Sequence, residues 1–252
     1  LCLTAALYGP YVPGAGWVVD DHVNLERHAE AGLLGGEWLY ATYEYAGGQA
    51  GGHVWRPVPS TIHHFLAVAF GREPPAFRAL NLLVHLLNGA LVYMAAMRAS
   101  LNHRASCWAM LAWTMHPALV ESVAWSSDIN DLLLGTFSLL AVRATLSEKD
   151  RTKQLLLVYV LCLAACLSKE MGVLLFAAIL PLAWWKHEGK TRISLPAASL
   201  AASLTYLGLH LAVTANSYVA SSTSVPLSHV AKAWTANWSW ILYLPHQAPM
   251  AH

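Results

Sequence analysis

Two adjacent carboxylates, Asp20 and Asp21, follow an apolar stretch near the start of the chain. A charge so close to lipid is costly and is kept where it has chemistry to do or where it can reach water. The pair therefore has two readings, a chemical one and a solvated helix end. Other polar groups recur where apolar runs stop: His116 with Glu121, then Asp128 and Asp131, then Lys169 with Glu170. Asn81, His85 and Asn88 stand at i, i+4 and i+7, which puts them on one face of a helix. Such a stripe either hydrogen-bonds between helices, the commoner case in membranes, or faces a site.

The elements that must position these groups are membrane helices. Hydrophobic residues make up 56% of the chain and charged ones only 12%, about half the share usual in a soluble domain. The mean hydropathy is +0.43. The 15 basic and 14 acidic side chains nearly cancel, which excludes the basic surface of a nucleic-acid binder. Apolar runs cover residues 1 to 19, 80 to 97, 105 to 115, 132 to 144, 155 to 167, 172 to 185, 193 to 213 and about 230 to 244. They predict an all-α, polytopic integral membrane bundle with about eight transmembrane segments. The first run lacks the basic leader of a signal peptide and reads as an anchor. Residues 1 to 252 form a single transmembrane module, with a long first loop over 17 to 75 and the helical bundle over 76 to 252.

Orientation follows from the loops. Arg98 and Arg104, then Arg143, Lys149, Arg151 and Lys153, then Lys186, Lys190 and Arg192 hold nine of the 15 basic residues. They alternate with loops carrying Asp20, Asp21, Glu26, Glu30, Glu37, Glu44, Glu73, Glu121, Asp128, Asp131 and Glu170, 11 of the 14 acids. The basic loops are therefore expected to be cytoplasmic and the Asp20-Asp21 loop extracytoplasmic. At ~1.5 Å per residue, the run 105 to 115 covers roughly 17 Å and the run 155 to 167 roughly 20 Å, against a hydrocarbon core of about 30 Å. The polar residues just past them should then lie at membrane depth, where irregular backbone is tolerated only against protein or a water-filled cavity. This predicts an outward-opening cavity lined by Asp20, His116, Glu121, Asp128, Asp131, Lys169 and Glu170, with Asn81 and His85 along its wall. The long outer loop, rich in Trp and Tyr, should lie at the membrane interface, with a helix over 26 to 43. Its glycine-rich stretch at 47 to 52 either gates the site or is a plain connector. Arg78 is expected to snorkel at its helix end.

The order of blocks resembles a known family. Asp20-Asp21 is followed by Trp55-Arg56-Pro57, by Asn81-Leu82-Leu83-Val84-His85-Leu86-Leu87-Asn88, and by a block from His116-Pro117 to Val123-Ala124-Trp125. Asp131-Leu132-Leu133 and Leu167-Ser168-Lys169-Glu170 complete the series. The chain is similar to the membrane part of the GT-C superfamily of glycosyltransferases. Within it, the chain most resembles the transmembrane and tetratricopeptide-repeat O-mannosyltransferases and their bacterial relatives. The blocks span residues 17 to 171, and the likeness fades beyond.

The resemblance implies an inverting transfer of a sugar, mannose in this family, from a polyprenyl-phosphate donor to an acceptor hydroxyl on a protein or glycan. It implies that Asp20, with Asp21 as alternative, is the general base in the first outer loop. It implies that Arg56, His116 and Lys169 bind the donor phosphate. Lys169 with Glu170 could equally be an ion pair between helices. Bacterial relatives carry basic residues before the Asp of the second acidic block, where this chain has Asp128, Ile129 and Asn130. The chain ends at His252 without tetratricopeptide repeats, which marks it as a fragment or a shortened relative. A second class follows from these departures: a catalytically silent GT-C-like scaffold, or an accessory subunit of a larger membrane complex. A transporter is disfavoured because no inverted repeat is visible.

Partners are therefore a lipid-linked sugar donor, membrane lipids, an acceptor and, in the second class, other membrane subunits. No cofactor is expected. Oxygen ligands from Asp20, Asp21 and Asp128 would suit a hard divalent cation, but no HExxH or CxxC accompanies them, and the side chains of His63-His64 should diverge. Cys162 and Cys166 share a helix face and read as buried thiols. The sequon Asn237-Trp238-Ser239 lies in an apolar run and is discounted.

Overall fold

The computed structural model describes residues 1–14, 42–44, 53–71, 73–147 and 150–214. The described residues are all-α apart from one short strand pair. Two short helices, α1 (Cys2–Tyr8) and α2 (Tyr11–Gly14), open the chain. Pro10 lies between them and lacks the amide that would carry the first helix onward. Strands β1 (Thr42–Glu44) and β2 (His53–Trp55) pair antiparallel, with Tyr43 opposite Val54. The helix expected over 26 to 43 therefore excludes its last two residues, which are extended in this ladder. The rest of that stretch lies outside the described residues, as do the glycine-rich segment, the run 230 to 244 and Asn237.

Helix α3 (Pro57–Phe70) lies within the stretch 17 to 75 and is a second helical element there, beyond the one expected over 26 to 43. Pro57 in its first turn suits a helix start, where the amide has no partner anyway, and Gly71 ends the helix at φ +68°. Helix α4 (Pro74–Arg98) also begins on prolines. Helix α5 (His103–Thr114) is capped by the Asn102 side chain, which accepts from the Ala105 amide at 2.9 Å. A 3₁₀ turn (Pro117–Leu119), the short helix α6 (Val120–Ala124) and a second 3₁₀ turn (Ser126–Asp128) lead into α7 (Ile129–Thr145). Helix α8 (Arg151–Ser168) starts at a cap in which Asp150 accepts from the Thr152 amide at 2.8 Å. A third 3₁₀ turn (Glu170–Leu174), α9 (Leu175–Lys186) and α10 (Thr191–Thr214) complete the series.

Three helices among the described residues are long and apolar enough to cross a membrane: Pro74–Arg98, Arg151–Ser168 and Thr191–Val213. Helix α5, at 12 residues, is as short as its apolar run foretold. Helix α8 is not: with 18 residues it reaches roughly 27 Å, because the Asp150 cap recruits the polar turn from Arg151 to Gln154. Irregular backbone follows both helices, as expected.

The main core joins four helices through small and branched side chains: Ala141 and Ala144, Val158 and Cys162, Ile179 and Ala183, Leu195 and Ala202. Small residues let membrane helices approach closely. Cys162 and Cys166 are buried free thiols. Leu156, Leu157, Val160, Leu200 and Leu204 point outward, an apolar surface suited to lipid.

One end of the bundle is tied by Gln154. Its Nε2 donates to the carbonyls of Ala144, Thr145 and Ser147 at 2.9, 3.1 and 2.7 Å, and the His187 ring meets the Thr145 carbonyl at 2.6 Å. The end of α7, the start of α8 and the end of α9 are thereby gathered together. Arg192 there lies 5.4 Å from the centre of the Trp184 ring. Arg78 does not snorkel: it is buried, with Nη1 donating to the Val12 carbonyl at 3.3 Å, because α2 packs over the start of α4.

Candidate functional site

The opposite end carries the charged groups. Asn81, fully buried in the second turn of α4, donates from Nδ2 to the carbonyls of Ser122, Trp125 and Ser126 at 3.2, 2.8 and 3.5 Å. The irregular backbone from α6 to α7, short of helix bonds of its own, is held by this one amide. One turn further, the His85 ring meets the Thr114 carbonyl at 3.0 Å. Asn88 then donates to the Leu132 carbonyl at 2.8 Å and accepts from the Thr136 hydroxyl at 2.7 Å. The stripe Asn81, His85 and Asn88 thus ties α4 to the end of α5, to the turn after α6 and to α7. Asn81 and His85 were expected along a cavity wall; they are buried in these contacts instead.

The turn held by Asn81 presents two carboxylates. Ser122 donates from its hydroxyl to Asp128 at 2.6 Å, and Asp131 follows one turn later at the start of α7. Burial pushes the Asp128 carboxyl up to about 7, and the negative charge of Asp131 adds to the rise. The Ser122 hydroxyl and the positive charge of Lys169 pull the other way and lose. Asp131 in turn pairs with the Lys169 ammonium at the end of α8.

The second cation comes from the strand pair. Arg56, just past β2, grips Glu170 through two hydrogen bonds, Nε to Oε2 at 2.9 Å and Nη2 to Oε1 at 2.6 Å. Burial would raise the Glu170 carboxyl, but the hydrogen bonds and charge of Arg56 outweigh it and hold the group below its ordinary range. Gly172 makes the placement of Glu170 possible. A Cβ there would stand 2.5 Å from the Cys166 amide nitrogen and 2.6 Å from the Ala165 carbonyl carbon, so only glycine lets this turn lie against α8. Trp55, buried beside Arg56, stacks on Tyr206 of α10 with ring centres 6.4 Å apart, and the Tyr206 hydroxyl reaches the His210 ring at 3.5 Å.

The structure therefore brings together Arg56, Asp128, Asp131, Lys169 and Glu170. Lys169 and Glu170 do not pair with each other; each reaches a different element. His116 begins a 3₁₀ turn, with its Nδ1 accepting from the Ala118 amide at 3.2 Å, and Glu121 is exposed on α6. Asp20 and Asp21 lie outside the described residues. His63 and His64 are both buried in α3, His63 against Phe77 and His64 against Phe65, with ring centres 5.8 Å apart in each case. Among the described residues, no three His, Cys, Asp or Glu side chains converge as a metal-ligand set. Sequence reasoning missed Ser122 and Tyr206. Ser122 had a signal, since it lies inside the His116 to Trp125 block; Tyr206 had none in an otherwise apolar helix.

Membrane-length helices, an outward apolar face and a charged cluster where several helices end define a multi-pass α-helical membrane protein with a polar site at one end of its bundle. A profile of the dolichyl-phosphate-mannose-protein mannosyltransferases matches residues 56–215. The chain belongs to that family and is a membrane glycosyltransferase of the mannosyltransferase type. The matched region starts at Arg56, contains the whole cluster and runs through α10, well past residue 171, where the likeness was expected to fade. No curated protein and no solved structure matches the chain.

Proposed function

We propose that the protein transfers a mannosyl residue from a polyprenyl-phosphate donor to an acceptor hydroxyl on the extracytoplasmic side of a membrane, with inversion at the anomeric carbon. The convergence of Arg56 and Lys169 on three carboxylates, in a chain of this family, is the observation that carries the reading. Asp20 removes the acceptor proton, with Asp21 as the alternative base. The acceptor oxygen bonds to the anomeric carbon as the bond from that carbon to the phosphate oxygen breaks. Polyprenyl phosphate leaves with an added negative charge, and fixed cations facing that oxygen stabilise it most where water is excluded. Lys169 and Arg56 fill that role, with His116 as a further donor. The phosphate must take them from Asp131 and Glu170 or bind alongside those pairs.

A second reading is a catalytically silent scaffold or accessory subunit. Its support is that Lys169 and Arg56 each already have a carboxylate partner. Labelled polyprenyl-phosphate mannose, incubated with the purified protein and an acceptor, separates the two. The proposal expects transfer by the wild type and loss of at least about 10²-fold in Asp20→Asn, within the range for general base catalysis. Equal transfer by both forms would remove Asp20 from the mechanism, and none by either would favour the scaffold.

A further inference from the structure

Two side-chain amides in this protein make the same kind of contact at opposite ends of α7. Gln154 donates from one nitrogen to the carbonyls of Ala144, Thr145 and Ser147, where the helix ends. Asn81 donates from one nitrogen to the carbonyls of Ser122, Trp125 and Ser126, just before the helix begins. The Asn81 clamp alone borders the charged cluster. Its three acceptors bracket the stretch from Ser122 to Ser126, and the hydroxyl at the near end of that stretch is the one bonded to Asp128. Asn81 directs its hydrogen bonds to backbone carbonyls rather than to the five charged groups, and it has no exposed surface. Its Oδ1 is a buried acceptor without a hydrogen-bond partner, so the contacts the residue makes are those of its donor nitrogen.

We infer that Asn81 is a positioning residue of the transfer site, fixing the turn from Ser122 to Ser126 so that Ser122 and Asp128 face Asp131 and Lys169. The inference rests on the transferase reading for its kinetic consequence, and on the geometry alone for its effect on Asp128. The groups facing Asp128 come from three elements: Ser122 of α6, Asp131 of α7 and Lys169 at the end of α8. With the clamp removed, the turn relaxes, Asp128 gains water and moves from Asp131, and both changes favour its ionised form. A displacement of about 1 Å at a reacting centre costs on the order of 10²-fold in rate.

The test compares Asn81→Ala, Asn81→Ser and Gln154→Ala in the purified full-length protein. Two quantities are read: steady-state transfer, and the pH midpoint of carbodiimide labelling at Asp128, followed by mass spectrometry. A carbodiimide attacks the protonated carboxyl, so the midpoint reports the Asp128 proton whether or not transfer is detected. Asn81→Ala is expected to lower kcat by about 30- to 100-fold with the donor KM within about twofold, and to move the labelling midpoint down by about one pH unit. Asn81→Ser, which returns one donor, recovers part of both and is the form to read if the alanine variant fails to fold. Gln154→Ala is expected to lose comparable thermal stability while leaving kcat and the midpoint unchanged. Equal effects of the Asn81 and Gln154 substitutions on kcat and midpoint would overturn the inference and leave Asn81 a structural residue. If the wild type transfers no sugar, the transferase reading fails and the labelling decides alone: a shift confined to the Asn81 variants supports the clamp, and no shift refutes it.

Discussion

Arg56 and Glu170, separated by 114 positions in the chain, form a two-pronged ion pair that ties the end of β2 to the 3₁₀ turn after α8. Two parallel hydrogen bonds between a planar guanidinium and a carboxylate fix direction as well as distance. Lysine keeps the charge but cannot form that fork. Arg56→Lys is therefore expected to raise the donor KM by about tenfold, the equivalent of one charged hydrogen bond, with kcat changed less. Initial rates over a range of polyprenyl-phosphate mannose concentrations measure this. An unchanged KM would free Arg56 from any donor role.

Asp128 sets a stability trend with a defined sign. Unfolded, its carboxyl titrates near 3.9; in the folded protein, burial and Asp131 raise it to about 7. Between those values the folded state holds more protons than the unfolded one, so this group's contribution to stability falls as pH rises from about 4 to about 7. Glu170, held below its ordinary range by Arg56, contributes the opposite trend, losing stability only as the solution becomes more acidic. Between pH 5 and pH 8 the melting temperature of the detergent-purified wild type should fall relative to that of Asp128→Asn. That difference cancels groups common to both proteins, such as the buried His63, whose lowered imidazole favours stability as pH rises. Parallel curves would contradict the raised Asp128 carboxyl.

Gly172→Ala tests the close approach that seats Glu170. The added methyl meets backbone atoms of Ala165 and Cys166, which cannot swing away as a flexible side chain would. The expected cost is about 1–3 kcal/mol, seen as a lower melting temperature. Gly208→Ala on α10, with nothing within 4 Å of the added carbon, should be neutral or slightly stabilising. Matching effects of the two substitutions would show that the turn is not tightly seated.

Much of this architecture was legible in the sequence, because lipid demands long apolar runs and penalises charge. The stripe of Asn81, His85 and Asn88 was visible from spacing alone, and so was its common use in tying helices. Its acceptors were not, since they are backbone carbonyls about 30 to 45 residues away in the chain and carry no residue signature. Helix α3 was lost because its prolines and paired histidines look like loop, although proline in the first turn and glycine past the last are helix signals. Arg56, Asp131, Lys169 and Glu170 stood out in the sequence as charges in an apolar chain, but their pairing did not. Adjacency of Lys169 and Glu170 suggested a mutual contact, whereas the helix end turns them toward Asp131 and Arg56. Arg78 was misjudged because α2, which covers it, is too short to stand out as a helix in sequence.

Lys169 is the most direct probe of the whole account, since it joins the carboxylate cluster to the proposed phosphate. The decisive measurement is the initial rate of mannosyl transfer from labelled polyprenyl-phosphate mannose, by wild type and Lys169→Met reconstituted side by side in lipid vesicles. The account predicts measurable transfer by the wild type and a fall in kcat of about 10²-fold or more in the variant, as for loss of one fixed donor at a developing negative charge. Equal rates in the two proteins, with both correctly folded, would contradict it.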